Sequence, residues 1–462
     1  MITVEKIGGT SMSQFGDVLK NIMLRDPKQA FGRVYIVSAY SGVTNDLLEH
    51  KKTGAPGIYA KFVQGEGYGP AMDALLKKLQ SINKEMEPLG LDVARANGFL
   101  EKRFKDLKEY LESMLHVLAS GYVARESVLL AAREMLAAIG EAHSAFNSVE
   151  ILKAKGHPAR FLDLTGFYDS EAWTIDERIH RCFQDVDPEK EIVVVTGYTK
   201  GTEGIMREFD RGYSEITFAK VAVELDADEA VIHKEFHLSS ADPELAGGPQ
   251  DVVPVGQTNY DVADQLADVG MEAIHPKAAK PIEMAGIAIR LKNTFEPEHP
   301  GTLITKTYVG KQARVEMIAG TQKVTIVDIH DPRMVGAIGF DLGILEIFRK
   351  HGVSYILKST NANSITHVVT DKAAKPAFID ELRSRYEIVT TLPAAVVCVI
   401  GTNIAIPGVL ARAAGVLAEN KINVICVAQA YRQINMQFVI DRADYKKAVQ
   451  ALNQALCLSA KQ

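Results

Sequence analysis

Ile2-Thr3-Val4-Glu5-Lys6-Ile7-Gly8-Gly9-Thr10-Ser11-Met12 opens the chain, and its reading decides how the rest is understood. The β-branched residues predict a short strand, and the glycine pair predicts a turn out of it. Glycine has no Cβ, so the backbone can approach a bound anion closely and reach positive φ without steric cost, and the amides beyond it can point at phosphate oxygens. Lys6, two residues before the glycines, supplies a mobile positive charge. A tight turn beside a solvated lysine explains the same residues, and for so short a motif taken alone it is the better explanation. The remaining segments of the chain reverse that balance.

Working outward, 462 residues are too many for one ordinary core and predict two or three domains. Hydrophobic residues at 47% and charged residues at 24% are globular values, so little disorder is expected. A formal charge of −6 argues against nucleic acid as the main partner, because a phosphate backbone is met by a net basic surface. Cys182, Cys398, Cys426 and Cys457 lie far apart without C-x-x-C spacing, which argues against a zinc site or disulfide framework and for reduced thiols. With no signal-peptide pattern and no apolar run of membrane-spanning length, a cytoplasmic protein without a membrane partner is expected.

Val34-Tyr35-Ile36-Val37-Ser38 reads as a buried strand that empties into the polar loop Ala39-Tyr40-Ser41-Gly42-Val43-Thr44. Open α/β sheets build ligand sites at such carboxyl ends. Residues 54–120 change to charged, helix-patterned sequence with apolar residues three and four apart, and carry no recognisable chemistry. Met135 to Ser144 reads as a helix that is apolar nearly all round yet contains Glu141, a carboxylate that is costly to bury without a positive partner. Glu191 to Thr196 is another buried strand. It leads to Phe209-Asp210-Arg211-Gly212-Tyr213-Ser214-Glu215, in which Arg211 suits forked recognition of a carboxylate and Ser214 sits where a helix N-terminus offers amides to an anion. The last third contains two βαββαβ patterns, with strands at Gly352 to Ile356 and Lys421 to Ile425 each followed by a loop and a second strand, as in ferredoxin-like units.

Taken in order, these pieces resemble the aspartate kinases of the amino-acid kinase family, and most closely the ectoine-type branch, through Glu5 to Met12 and Phe209 to Glu215. The resemblance implies an α/β fold: a kinase domain over 1–305, with an open, mostly parallel sheet between helix layers and a helical insertion at 54–120. Two ferredoxin-like ACT domains are implied behind it, one over 324–392 and one over 306–323 plus 393–462, with Val315 to Ala319 pairing in the latter. It implies aspartate 4-phosphorylation with ATP and Mg²⁺, and L-aspartate as the substrate partner.

Lys6, Arg211 and Glu141 are the catalytic candidates, with Gly8, Gly9, Thr10 and Ser11 on the phosphates. Ser38, Thr44, Glu141, Arg211 and Ser214 would hold the substrate, Glu141 on its ammonium and Arg211 on its α-carboxylate. His233, Lys234, Ser240, Asp242 and Lys292 fall in the expected nucleotide segments. His233-Lys234 replaces the family's Thr-Asp, and Tyr213 and Glu215 replace a glycine and an aspartate. An amino-acid effector would meet the ACT loop at Ser359, Asn361 and Asn363, and a homodimer or larger homo-oligomer is expected. No motif assigns a metal ligand.

A carboxylate nucleophile is already ionised at neutral pH, so the reaction needs positioning and relief of charge repulsion rather than a general base. That accounts for a site rich in Lys, Arg, Gly and amides. Two other readings fit parts of the sequence: another acyl-phosphate-forming kinase of the family, such as a glutamate kinase, and a non-catalytic ACT sensor on a degenerate kinase scaffold.

Overall fold

The computed structural model describes residues 1–26, 30–51, 53–209, 212–271 and 273–459. By its contacts the chain forms two units, Met1–His237 with His275–Gly301, and Leu238–Ile274 with the chain from Thr302 onward.

The first unit is built on six parallel strands, β1 (Thr3–Ile7), β2 (Arg33–Val37), β3 (Ala159–Leu162), β4 (Ile192–Thr196), β5 (Glu229–Lys234) and β7 (Ala288–Asn293). They lie in the order β3-β4-β2-β1-β5-β7. β4, Ile-Val-Val-Val-Thr, is buried at every position, as expected of a parallel strand covered on both faces. The register sets Lys6 beside Ile36 and Ile232, and Ile7 beside Val37 and His233. The carboxyl ends of β1, β2 and β5 therefore share one edge, where open α/β sheets bind ligands.

Residues 54–120 are helical, with Gly69–Glu85 and Val93–Ser120 the main pieces. The second helix is fixed by Phe99, whose ring stacks on Phe146 at 4.1 Å and meets Phe161 of β3 edge-on at 6.0 Å. Phe146 belongs to the helix Arg125–Ala154, which is buried along most of its second half. A Cβ on Gly140 would lie 2.7 Å from Ala39 Cβ, so the glycine is what lets this helix reach the loop after β2.

In the second unit β6 (Gln257–Asn259) pairs in parallel with β8 (Thr302–Thr305). The remaining strands are β9 (Met317–His330), β10 (Leu357–Thr360), β11 (Ser364–Thr370), β12 (Ile388–Ile400), β13 (Val424–Gln429) and β14 (Asn435–Asp441). They form an antiparallel sheet in the order β10-β11-β9-β12-β14-β13. β9 and β12 pair along almost their whole lengths, with a register shift between Ala394 and Val396. Each long strand serves both βαββαβ patterns, and Met317, Ile318 and Ala319 pair with Ile400, Val399 and Cys398. Two separate cores result, one around Ile344, Phe348 and Phe378 and the other around Phe438, Leu417 and Leu452. Among the described residues no helix is long and apolar enough to cross a membrane.

Candidate active site

At the carboxyl edge of the first unit lies a cavity of about 260 Å³ lined by Gly9, Thr10, Ser38, Thr44, Glu141 and Ser214, among others. Four separate segments bring these side chains together. Ser214, at the start of the helix Tyr213–Glu224, donates to Glu141 Oε1 at 2.7 Å and receives the Ser38 hydroxyl at 3.3 Å. Ser144, one turn beyond Glu141, donates to the Ser38 carbonyl at 2.9 Å, so the helix that carries the carboxylate also fixes the loop.

Glu141 is 2% exposed, and its Oε2 meets no partner among the described residues. Burial pushes its pKa up to about 8, and the Ser214 hydroxyl and the Lys6 charge offset only part of that rise. The free protein therefore holds this group largely as the neutral acid at pH 7. Gly197, after β4, is the space for it, since a Cβ there would fall 3.0 Å from Glu141 Oε2.

Lys6 Nζ is held at 3.1 Å by Glu215, which also accepts the His275 backbone N–H at 2.7 Å. Burial alone would raise the Glu215 pKa, but Lys6, Lys234 and that amide together bring it down to about 2. Glu215 is thus a fixed anion facing two lysines at the ends of β1 and β5.

The glycines act differently from expectation. Gly8 has φ −72° and neither glycine takes a positive φ, so the turn does not use that freedom. Gly9 supplies room: a Cβ on it would sit 2.6 Å from the Ala39 carbonyl. Ser11 is fully buried with its hydroxyl 3.0 Å from Thr294 Oγ1, so its side chain braces the turn and only its backbone remains for a phosphate.

Of the expected nucleotide residues, Lys234 joins this cleft through Glu215. His233 does not: its Nε2 lies 2.7 Å from Glu5 Oε2, and it lines, with Lys292, a cavity on the other face of the sheet. Strand alternation explains this, because Lys6 and Glu5 of β1 point to opposite faces. Ser240 and Asp242 belong to the second unit, where Ser240 donates to Asn453 at 2.8 Å and Asp242 caps the helix Pro243–Ala246. Asn361 Oδ1 accepts the Asn363 and Ser364 amides, which folds the β10–β11 turn, and Ser359 pairs with Thr366 inside that hairpin. Arg211 lies outside the described residues.

Sequence reasoning left out Gly197 and the His275 amide. A glycine directly after a buried strand was the available signal for the first; the second is a backbone group and leaves no residue-type signature. Among the described residues no three His, Cys, Asp or Glu side chains converge as for a metal ion.

Comparison with known proteins gives a consistent result. The family description "Amino acid kinase family" matches residues 1–293, and "ACT domain" matches residues 397–456. The chain is 44% identical over 467 residues to aspartate kinase Ask_Ect of Stutzerimonas stutzeri strain A1501, covering 99% of this chain and 97% of that protein. In fold it is similar to E. coli aspartokinase III in complex with aspartate and ADP, with TM-score 0.74, 20% identity and coverage of 99% of this chain and 100% of the other. The same enzyme in complex with lysine and aspartate gives TM-score 0.73 at 20% identity, with 99% of each chain covered.

Proposed function

Because the chain belongs to the amino acid kinase family, as an ATP-dependent aspartate kinase, we propose that the cleft around Lys6, Glu141 and Ser214 is where the β-carboxylate of aspartate attacks the ATP γ-phosphorus. The observation that carries this reading is a buried, half-unpartnered carboxylate lining one small cavity at the carboxyl edge of the sheet, with a lysine held by Glu215 close enough for its charge to act on that carboxylate.

Glu141 receives the substrate ammonium, and Ser214 and Ser38 orient the carboxylate through their shared hydrogen bonds. Arg211 takes the α-carboxylate, leaving the β-carboxylate free to react. Lys6 and Lys234 neutralise the triphosphate as the nucleophile approaches, and Glu215 keeps Lys6 aimed at the edge of the sheet. The amides around Gly8, Gly9 and Thr10 lie against the phosphates. The described carboxylates do not converge as a protein-held metal site: Glu215 is taken by Lys6 and the His275 amide, and no three ligating side chains meet among the described residues. Mg²⁺ would come with the nucleotide and would supply shielding of the phosphate charge.

The similarity to Ask_Ect and the Phe209 to Glu215 variant together support a place on the ectoine-type branch. The ACT region supports an amino-acid effector, as in the lysine complex of E. coli aspartokinase III, and assembly as a homodimer or larger oligomer.

The test is Lys6→Ala, which is expected to stay folded while ADP release with aspartate falls by roughly a hundredfold, the value of one preorganised donor. Near-normal turnover would overturn the assignment. Running glutamate and acetylglutamate beside aspartate in the same assay separates the aspartate reading from other acyl-phosphate-forming kinases.

A further inference from the structure

The sheet face opposite Lys6 breaks the pattern of buried parallel strands. Glu5 of β1, Arg33 of β2, Glu229 of β5, and Arg290 and Lys292 of β7 line a cavity of about 910 Å³ there. Parallel strands covered by helices carry apolar runs, and a charge in mid-strand is costly unless it is paired. Most of these charges are paired: Arg33 holds Glu5 at 2.6 Å and Arg290 holds Glu229 at 2.7 Å.

Lys292 is the exception. Among the described residues it meets no carboxylate, and its contact is the Pro297 carbonyl at 3.4 Å, too long for a strong bond. Arg25 donates to the same carbonyl at 2.5 Å, so two cationic head groups converge on one neutral acceptor. Arg25 has one carboxylate, Glu298 at 2.9 Å, but that side chain is 88% exposed, and such surface pairs are worth little. Burial, followed by Arg25 and the guanidiniums of Arg290 and Arg33, pushes the Lys292 pKa below the ordinary lysine value, and Glu5 opposes this only in part. Among the lining side chains, four cations (Arg25, Arg33, Arg290, Lys292) outnumber three carboxylates (Glu5, Asp26, Glu229), and the fourth carboxylate near them, Glu298, is mostly exposed. The volume is within the usual range for a small-molecule site.

We propose that this cavity is a second ligand site, for a small phosphate-bearing anion held between Lys292 and Arg25 on the sheet face opposite the catalytic cleft. A phosphate brings more than one negative charge and several acceptor oxygens, which relieves both cations together; the Pro297 carbonyl does neither. The site is separate from the catalytic reading: it uses different residues and the opposite pleat of β1.

The test is calorimetric titration of the full chain with inorganic pyrophosphate. Wild type is expected to take up two equivalents. Lys6→Ala and Lys292→Met should take up one each, the double variant none, and Lys292→Arg two again. Equal stoichiometry in wild type and Lys292→Met would overturn the proposal. So would abolition of one and the same equivalent by either single substitution, because that makes the two residues parts of one site. Lys292→Met removes an unrelieved half-buried charge, so its melting temperature without ligand should match or exceed wild type, and pyrophosphate should raise it less. A melting response to pyrophosphate equal to wild type would also count against the site.

Discussion

At the scale of single residues, Glu141 shows how a fold sets the chemistry of an ordinary carboxylate. With its pKa near 8 in the fold and 4.5 as the reference value, it stays protonated where the unfolded chain has already lost the proton. The unfolded state then binds fewer protons, so this group makes stability fall as pH rises from about 4.5 to about 8, with a limiting slope of about 1.4 kcal/mol per pH unit. Glu141→Gln is expected to flatten that part of the profile, which urea unfolding at pH 5 and pH 8 measures; an unchanged slope would mean the carboxyl is ionised in the fold. The same proton makes a prediction about binding. An incoming ammonium favours the carboxylate, so aspartate binding at pH 7 should release up to one proton per chain, visible by calorimetry in buffers of different ionisation enthalpy. By pH 9 the release should vanish.

At the scale of elements, the turn after β1 and the loop after β2 are held together by the absence of one methyl group. Gly9→Ala would set a Cβ 2.6 Å from the Ala39 carbonyl, a backbone atom that moves only with its loop. The loop carries Ser38 and Thr44, so the expected outcome is a KM for aspartate raised several-fold or more, measured by steady-state kinetics; an unchanged KM would show that the loop yields freely. Thr174→Ala is the matching control away from the site. It removes the capping box at the start of the helix Ile175–Phe183 and should cost about 1 kcal/mol of stability with KM unchanged. Element by element, strands such as 34–37 and 192–196 were legible because buried parallel strands leave unbroken apolar runs. β12 was harder to read, since it passes through Pro393. That proline is tolerated because β14 pairs with β12 only from Ala394 onward, leaving Pro393 locally at an edge beside the register shift.

At the scale of the molecule, two units, each with its own buried apolar residues, predict unfolding that departs from a single two-state step. The chain has one tryptophan, Trp173, in the first unit, so its fluorescence follows that unit alone. Urea transitions followed by tryptophan fluorescence and by far-ultraviolet circular dichroism are therefore expected to diverge. Superimposable curves would mean that the whole chain unfolds cooperatively.

The amino-acid sequence determined the class of fold, the parallel strands, the helical insertion, the duplicated C-terminal pattern and the family, because periodicity and short motifs are local properties of a chain. It also named Lys6, Glu141, Ser38, Thr44 and Ser214, which the fold gathers at one edge. Tertiary structure alone decided which way neighbouring residues face. Glu5 and Lys6 are adjacent in sequence yet serve opposite sides of the sheet, and His233 parts company with Lys234 in the same way. The protonation of Glu141 was likewise hidden, since a pKa depends on the water and charge that the folded chain removes or supplies, and no single residue carries that information.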